Sequence, residues 1–560
     1  MTKVLVIGGY GGFGGRLSRR LADRGADVVV AGRSLAKAEA FCRSNPSCRP
    51  ARADRNEGVS GLIESERPNV VIDASGPFQS SDYRLVAECI AAGVSYLDLA
   101  DSRAFVAGVS RFDSAAQMAG VLVITGASSV PALSGAVARK LADGLDRVTS
   151  VEIAISASSR ASAGASVATA ILDGVGQKIP LWRGARRIIR FGWQELRREP
   201  FGHLGSRLVA LADVPDVALL PGRLPGSPAV TFRAGTESML ANCSLWLASW
   251  PVRWGWIQSL RPLSRLLLAA HRLTAVWGGD RSGMVVRLFG IRGAQRIERR
   301  WTLTAEDGDG PHIPTLAAAI LTDRIAKGEL RSGARDAGEE LALADFEPMF
   351  ATLAVRHSVE EIEQPPPLYR RLMGDGFDRL APALQAMHGV LRDSGAHGRG
   401  KVERGTHPLA RLVAKAMRFP RTGDHPLHVH FAEDRGVERW TRDFGGQCFA
   451  SSSSRAGDQV VERHGPLRFH FDLQVADGAL EMVMRHWSVL GLPLPLALAP
   501  RSPAREREED GRFHFDVPID LPLIGRVIHY RGWVNASGHA GPAANQKGTS
   551  SSRSVSNAAG

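Results

Sequence analysis

The sequence predicts an α/β architecture: a doubly wound parallel sheet, a second α+β domain with an antiparallel sheet, and a C-terminal, mostly antiparallel β domain. Three observations predict it. Short apolar runs recur through residues 1–130, each followed by a stretch of helical periodicity. A dense glycine cluster sits between the first apolar run and the first helical stretch. After the stiff linker Pro365-Pro366-Pro367 the pattern changes to a series of strands from 426 to 534.

The first strand is Val4-Leu5-Val6-Ile7, and it enters Gly8-Gly9-Tyr10-Gly11-Gly12-Phe13-Gly14-Gly15. A helix over 16–23 follows, then a second strand, Val28-Val29-Val30-Ala31, ending in Gly32-Arg33-Ser34. Strand, glycine turn, helix and strand in that order open a Rossmann-type dinucleotide-binding unit. The turn needs backbone angles that a Cβ disfavours, and a pyrophosphate must approach the backbone closely. The helix N-terminus then offers unpaired N–H groups and a partial positive charge. Both Gly9-x-Gly11-x-x-Gly14 and Gly8-x-x-Gly11-x-x-Gly14 fit the motif. The end of the second strand carries no acid to accept from a ribose 2′-OH. Arg33 and Ser34 suit a 2′-phosphate instead, which favours NADP over NAD.

The alternation continues with a helix over 35–41, a short strand from 49 ending at Asp54, and Val70-Val71-Ile72-Asp73 running into Ala74-Ser75-Gly76-Pro77-Phe78. A helix over 83–92, a strand over 94–99 (leading to Asp98 and Asp101), a helix over 111–119 and a strand over 121–126 complete the first domain, 1–140. Ligand contacts belong at the C-terminal strand ends. The cofactor set is therefore Gly8, Gly9, Tyr10, Gly11, Gly12, Phe13, Gly14, Arg33, Ser34, Asp54, Ser75, Gly76 and Pro77. Asp73, Asp98 and Asp101 are the candidates for binding a substrate amine or relaying a proton, against the plainer reading that each caps a helix or pairs with an arginine.

These segments, together with Tyr-Leu-Asp-Leu-Ala-Asp (96–101) and Gly-Ala-Ser-Ser-Val-Pro-Ala-Leu-Ser (126–134), resemble the saccharopine dehydrogenase/reductase-like family. The resemblance is close over 1–140 and looser to about 350, through Gly310-Pro311-His312-Ile313-Pro314-Thr315. It implies an NADP-binding domain, a second α/β domain, and hydride transfer at a C–N bond. It supplies no agreed catalytic residue. Region 366–535 resembles an uncharacterised domain fused to such chains, which supplies no chemistry.

In the second domain, 141–355, of substrate or dimerisation type, strands are expected at 151–156, 229–234, 284–290 and 296–304. Its inner face should close over the nicotinamide end. Arg233, Arg287 and Arg292 are candidates to clamp a carboxylate. Residues 244–277 gather Trp246, Trp250, Trp254, Trp256 and Trp277 with Arg253, Arg261, Arg265 and Arg272, and Leu263, Leu266, Leu267 and Leu268 mark an amphipathic helix. That pairing suits a membrane or lipid surface, but the plainer reading is a helical hairpin packed on its own domain or an aromatic-lined substrate entrance. In the third region 368–392 reads as helix and 393–406 as loop. Arg468-Phe469-His470-Phe471-Asp472 recurs as Arg512-Phe513-His514-Phe515-Asp516, two equivalent strands of one curved sheet. His428, His430 and Glu433, with His470 or His514, approach a metal-ligand pattern, but the Glu spacing is wrong and no metal is assigned. The Ser/Gly/Asn/Ala-rich tail 536–560 should be disordered.

The formal charge is +13, with 44% hydrophobic and 23% charged residues. The basic residues are scattered rather than interleaved with aromatics, so nucleic acid is not expected. The five cysteines, Cys42, Cys48, Cys89, Cys243 and Cys448, have no metal-site spacing and read as reduced thiols of a cytoplasmic protein. No signal peptide or membrane span is expected. The leading expectation is an NADP-dependent oxidoreductase acting on a small molecule, with a homodimer left open. The alternative is a non-catalytic, NADP-gated lipid or small-molecule binder whose pocket is the C-terminal sheet, attached or not to a membrane.

Overall fold

The computed structural model describes residues 1–160, 165–264 and 278–537. The N-terminal sheet contains β1 (Lys3–Ile7), β2 (Asp27–Gly32), β3 (Cys48–Arg52), β4 (Val70–Asp73), β5 (Ser95–Asp98) and β6 (Leu122–Thr125). Its order is Gly333–Asp336, β6, β5, β4, β1, β2, β3, and every pairing is parallel. Both faces are covered, which is why the strands read as unbroken apolar runs. Val4 and Val6 pack with Leu17 and Leu21, whereas Leu5 and Ile7 pack with Val86 and Cys89. The helices following β1 and β2 are α1 (Gly12–Asp23) and α2 (Leu35–Arg43). Strand order reverses between β1 and β4, the place where open α/β sheets bind ligands. The seventh strand, Gly333–Asp336, returns only after six of the seven strands of the second sheet have been laid down.

The second sheet also has seven strands: Arg197–Pro200, Ser206–Leu211, Ala229–Thr236, Arg147–Ala157, Ser282–Arg292, Gln295–Ala305 and Val355–Gln364, in that spatial order. It is mixed, not wholly antiparallel, because Ala229–Thr236 runs parallel to Arg147–Ala157. One face, with Val151, Ile153, Phe232, Val286 and Trp301, packs on the helices Ser134–Ala142 and Ile313–Ala326. The other face carries Glu152, Arg287 and Glu298, all of low exposure. A two-stranded hairpin, Lys178–Arg183 with Arg186–Phe191, stands beside this sheet.

The C-terminal region is a closed antiparallel barrel. Its ring runs Leu467–Ala476, Gln459–His464, Gln447–Ala456, Val437–Phe444, Gly423–Asp434, Asp393–Arg404, Gly525–Ser537, Arg512–Leu521, Arg505–Glu509 and Ala479–Val489, which pairs again with Leu467–Ala476. Both recurrent Arg-Phe-His-Phe-Asp segments are strands of it. The expectation of a loop over 393–406 fails: Asp393–Arg404 is a strand paired on both sides. Its glycines sit where neither side chain nor loop fits, since a Cβ on Gly398 would lie 1.9 Å from the Trp533 carbonyl oxygen and one on Gly400 2.6 Å from the Phe444 ring. The single helix expected over 368–392 is broken at Gly374 (φ +53°) and Pro382 into Leu368–Met373 and Pro382–His388. The tail after 537 and the leucine-rich segment 265–277 lie outside the described residues. Among the described residues no helix is long and apolar enough to cross a membrane.

Barrel and second sheet meet through charge. Glu152 lies 2.6 Å from Arg197, 3.5 Å from Arg287 and 3.0 Å from Arg392, which comes from the barrel side. Burial opposes ionisation of the Glu152 carboxyl, but Arg392, Arg197 and Arg287 override it and hold the group well below its ordinary 4.5. Removing one member of such a group leaves the others buried and unmatched. Glu152→Gln should therefore cost about 3 kcal/mol in equilibrium urea unfolding at neutral pH. A carboxyl with a depressed folded value contributes stability above the unfolded value and loses it as pH falls through the folded one. The gap between wild type and variant should accordingly close in acid, below about pH 4. An unchanged unfolding midpoint at pH 7 would show that water already screens these charges.

Candidate functional site

The site is built outward from the turn between β1 and α1. Gly8 has φ +77°. A Cβ on Gly14 would stand 2.2 Å from the Gly8 carbonyl oxygen, and one on Gly9 2.8 Å from that of Val6, so strand and helix touch backbone to backbone. A Cβ on Gly11 would approach only the Gly8 oxygen, at 3.1 Å; its other sides are open. The Gly8, Gly9 and Gly11 amides are used by the chain, to Ala31 and Gly8 carbonyls. Those of Gly12, Phe13 and Gly14 belong to the first turn of α1, which has no side-chain cap and no acidic residue. Three free amides at an uncapped helix N-terminus make an anion cradle.

At the end of β2 the Tyr10 ring lies against Gly32, where a Cβ would be 2.5 Å from it. The Tyr10 hydroxyl accepts from the Ser34 amide at 3.1 Å. Ser34 Oγ caps α2, accepting from Lys37 N at 3.4 Å. Arg33 is exposed. Arg52, at the end of β3, is the register partner of Gly32 and is also exposed. Among the described residues neither pairs with an acid. Asp54 is turned to its own loop, accepting from Asn56 N at 3.0 Å.

Beyond the switch point, Asp73 holds the next loop: one carboxylate oxygen accepts from Ser75 N at 2.8 Å and Ser75 Oγ at 2.5 Å. Its other oxygen accepts from Arg55 at 2.8 Å. Arg55 also donates to the Pro77 carbonyl at 3.0 Å and Ser81 Oγ at 2.6 Å, and stacks on Phe78. Thus Ser75, Gly76 and Pro77 are fixed from below by an ion pair. Asp98 Oδ1 accepts from Gly126 N, Ala100 N and Thr125 Oγ1 at 2.7–2.9 Å, while its Oδ2 is buried without a partner. Burial pushes the Asp98 carboxyl up to about 7 against these three hydrogen bonds. Asp101 is half-buried and accepts from Gln79 Nε2 at 3.2 Å, and burial raises its carboxyl. The second domain closes over this end: Arg103 donates to the Pro180 carbonyl at 2.9 Å and pairs with Asp213.

The remaining candidates lie elsewhere. Arg287 is bound to Glu298 at 2.8 Å and Arg292 to Glu361 at 2.8 Å. Arg233 is buried and donates to Thr231 Oγ1 at 3.2 Å. His428 Nε2 lies 2.7 Å from the Gly184 carbonyl and ties the hairpin to the barrel, whereas His430 Nε2, 3.0 Å from Asp393, joins two strands of the barrel itself. His470 stacks on His486 and His514 faces Glu509. Sequence reasoning missed Arg52, Arg55, Arg103 and Asp213. Arg52 and Arg55 had a usable signal, since each is within three residues of a strand end at the ligand edge.

An acid whose folded value is raised contributes its full stability when protonated and loses it as pH rises through that value. Wild type should therefore lose stability relative to Asp98→Asn as pH rises from about 4 to 7, and the difference should level off above that range. Parallel thermal denaturation curves of the two proteins across this range would show that Asp98 stays ionised.

Residues 4–124 match the saccharopine dehydrogenase NADP binding domain family, and residues 380–534 match a domain of unknown function, DUF4166. No curated protein matches the chain. Among solved structures, an apo histidine-tagged saccharopine dehydrogenase (L-Glu forming) from Saccharomyces cerevisiae is 12% identical, with a TM-score of 0.44 over 64% of this chain and 100% of that one. An amine dehydrogenase from Mycobacterium smegmatis is 11% identical, with a TM-score of 0.34 over 60% of this chain and 95% of that one. The chain carries a saccharopine dehydrogenase NADP-binding domain at its N-terminus, followed beyond the second sheet by a barrel of the DUF4166 type.

Proposed function

We propose that the protein is an NADP-dependent oxidoreductase acting on a small molecule held between the strand ends of the first sheet and the second domain. The observation that carries this reading is the set of three unengaged first-turn amides, Gly12, Phe13 and Gly14, with two unpaired guanidinium groups, Arg33 and Arg52, at neighbouring strand ends. The amides fit the pyrophosphate. The guanidinium groups, with Ser34, fit a 2′-phosphate by forked, charge-assisted hydrogen bonds. The nicotinamide, when bound, supplies or accepts a hydride. What falls to the protein is to place the substrate and to hold one proton.

Of the three aspartates, Asp73 is engaged by Arg55 and Ser75, and Asp98 by three donors behind the Gly126 turn. Asp101 is the one of the three left half-exposed, and burial raises its carboxyl above the ordinary carboxylate value. It is the proton-handling group in this reading, and Gln79 orients it. Arg103, held by Asp213 and Pro180, keeps the second domain over Asp101.

In fluorescence titrations of the reduced nicotinamide, replacing both Arg33 and Arg52 by Ala should weaken NADPH binding by about 10- to 100-fold and leave NADH binding within about threefold. Equal losses for the two cofactors would place the 2′-phosphate elsewhere.

A second reading concerns where the protein works. On the helix Met239–Arg253 and the turn after it, Leu240 is 72%, Leu247 60%, Trp254 55% and Trp256 73% exposed. Trp246, Trp250, Trp254 and Trp256 pack in succession, edge-on and then tilted, with ring centroids 6.1, 5.4 and 4.8 Å apart. From Ser238 to Gly279 the sequence contains Arg253, Arg261, Arg265 and Arg272 and no acidic residue. Exposed indoles in a stretch of sequence that holds four arginines and no acid suit the headgroup level of an anionic membrane. The protein should co-sediment with phosphatidylserine-containing vesicles at low salt, and Trp254→Ser with Trp256→Ser should abolish this. Absence of sedimentation at low salt rejects the membrane reading and leaves the cofactor reading untouched.

A further inference from the structure

In a closed barrel an inward-facing side chain meets solvent only through the lumen. Eight strands leave an interior that side chains just fill, and this barrel has ten. On Val437–Phe444 alternation sets Glu438, Trp440 and Phe444 inward, and all are buried. Arg442 lies on the same face between them, yet it is only half-buried. Its guanidinium stands 5.4 Å from the Trp440 ring and 5.6 Å from that of Phe449, and it donates to Ser451 Oγ at 3.0 Å. Glu462 shares the face of buried Val460, is likewise half-buried, and has no hydrogen bond or ion pair among the described residues. His388, 1% exposed, lies with Nε2 2.6 Å from Glu506. Its Nδ1 is buried without a partner, the imidazole packing against Tyr369, Trp440 and Phe513. A buried polar atom left unpaired is costly, and a resident molecule would relieve it.

We propose that the barrel lumen is a second ligand site, separate from the dinucleotide cleft, for a net-neutral amphiphilic small molecule whose apolar body lies on the aromatic wall and whose polar head lies between Arg442, Ser451 and Glu462. The charge class follows from the inventory of the lumen. Arg442 and Glu462 offset each other, Glu506 is engaged by His388, and Glu508, on the same face as Glu506, is taken up by the Ala383 amide at 2.6 Å. Glu438, whose carboxyl burial pushes up to about 7, carries only part of a negative charge at neutral pH. An ionic head would enter without a counter-charge and bear its full desolvation cost. This assignment stands independently of the cofactor reading.

The full-length protein titrated with Nile red, an uncharged amphiphilic dye, should show saturable, blue-shifted emission. Anilinonaphthalene sulfonate, which is anionic, should bind at least tenfold more weakly. Ser451→Trp, which puts an indole into the lumen, should abolish Nile red binding, and Arg442→Ala, which adds no volume, should weaken it about fivefold. Trp254→Ser with Trp256→Ser should leave it unchanged. NADPH titration of each variant reports separately on the fold and on the dinucleotide cleft. The proposal is overturned if saturable binding is absent, if it survives in Arg442→Ala at wild-type affinity, if the helix variant loses it, or if the anionic dye binds equally well.

Discussion

The contact between Gly14 and the Gly8 carbonyl fixes everything at the ligand edge. Because no Cβ intervenes, α1 begins directly over the end of β1, and its free amides come to lie above the switch point. Register then carries the site sideways. Ile7 pairs with Asp73, and Asp73 with Asp98, so two carboxylates stand side by side at the same level of the sheet. Two buried acids at neighbouring positions cannot both remain charged and unpaired. The fold separates their fates. Asp73 is matched by Arg55 and serves as a peg for the Ser75–Pro77 loop. Asp98 is driven toward its neutral form and serves as a hydrogen-bonded anchor for the Gly126 turn. Asp101, one loop further on, is the half-exposed carboxyl of the three and accepts from Gln79.

The second sheet obeys a different rule. Its helix-facing side is apolar, whereas its barrel-facing side buries Glu152, Glu199 and Glu298 among Arg197, Arg287 and Arg392. Such a face is costly unless every charge is matched. The match is completed by Arg392, which the barrel supplies and which also stacks on Phe289. A sheet that presents an alternating acid and base pattern selects its partner by charge placement more than by area. This explains how two unrelated architectures are held in one orientation.

Much of this was legible from residues. The parallel sheet announced itself because strands buried on both faces must be apolar throughout, and the glycine cluster because a helix cannot begin against a strand otherwise. The strand Asp393–Arg404 was hidden by the same physics read in reverse: Gly395, Gly398 and Gly400 look like a loop, yet they are small because Gly184, Trp533 and Phe444 crowd them. The strand Gly333–Asp336 was hidden by its distance along the chain from its partner β6, since pairing register has no local signature. Closure of the barrel was invisible for a similar reason: alternation reveals that strands have two faces, not that the first meets the last. Arg52 and Arg55 escaped because exposed arginines are common. Only register against Gly32 and contact with Asp73 distinguish these two from the rest.

One element touches all three parts of the molecule. The hairpin Lys178–Arg183 and Arg186–Phe191 receives Arg103 of the dinucleotide-binding domain at the Pro180 carbonyl. At its tip, Gly184 N donates to Asp393 at 2.6 Å and its carbonyl meets His428 of the barrel. Gly184 and Ala185 both have positive φ, +58° and +55°, the conformation of a tight two-residue turn that matches strand twist. A short hairpin pinned at its side by one domain and at its tip by another behaves as a strut. For dinucleotide binding to gate the barrel, the strut would have to break either the Arg103 contact or the Gly184 contacts, and each loss leaves a partly buried polar group unpaired. The architecture therefore favours two ligand sites held at a fixed separation over one site that opens the other. On this reading the barrel binds its ligand with or without the dinucleotide present, and the strut keeps Arg103 at the Pro180 carbonyl in either state.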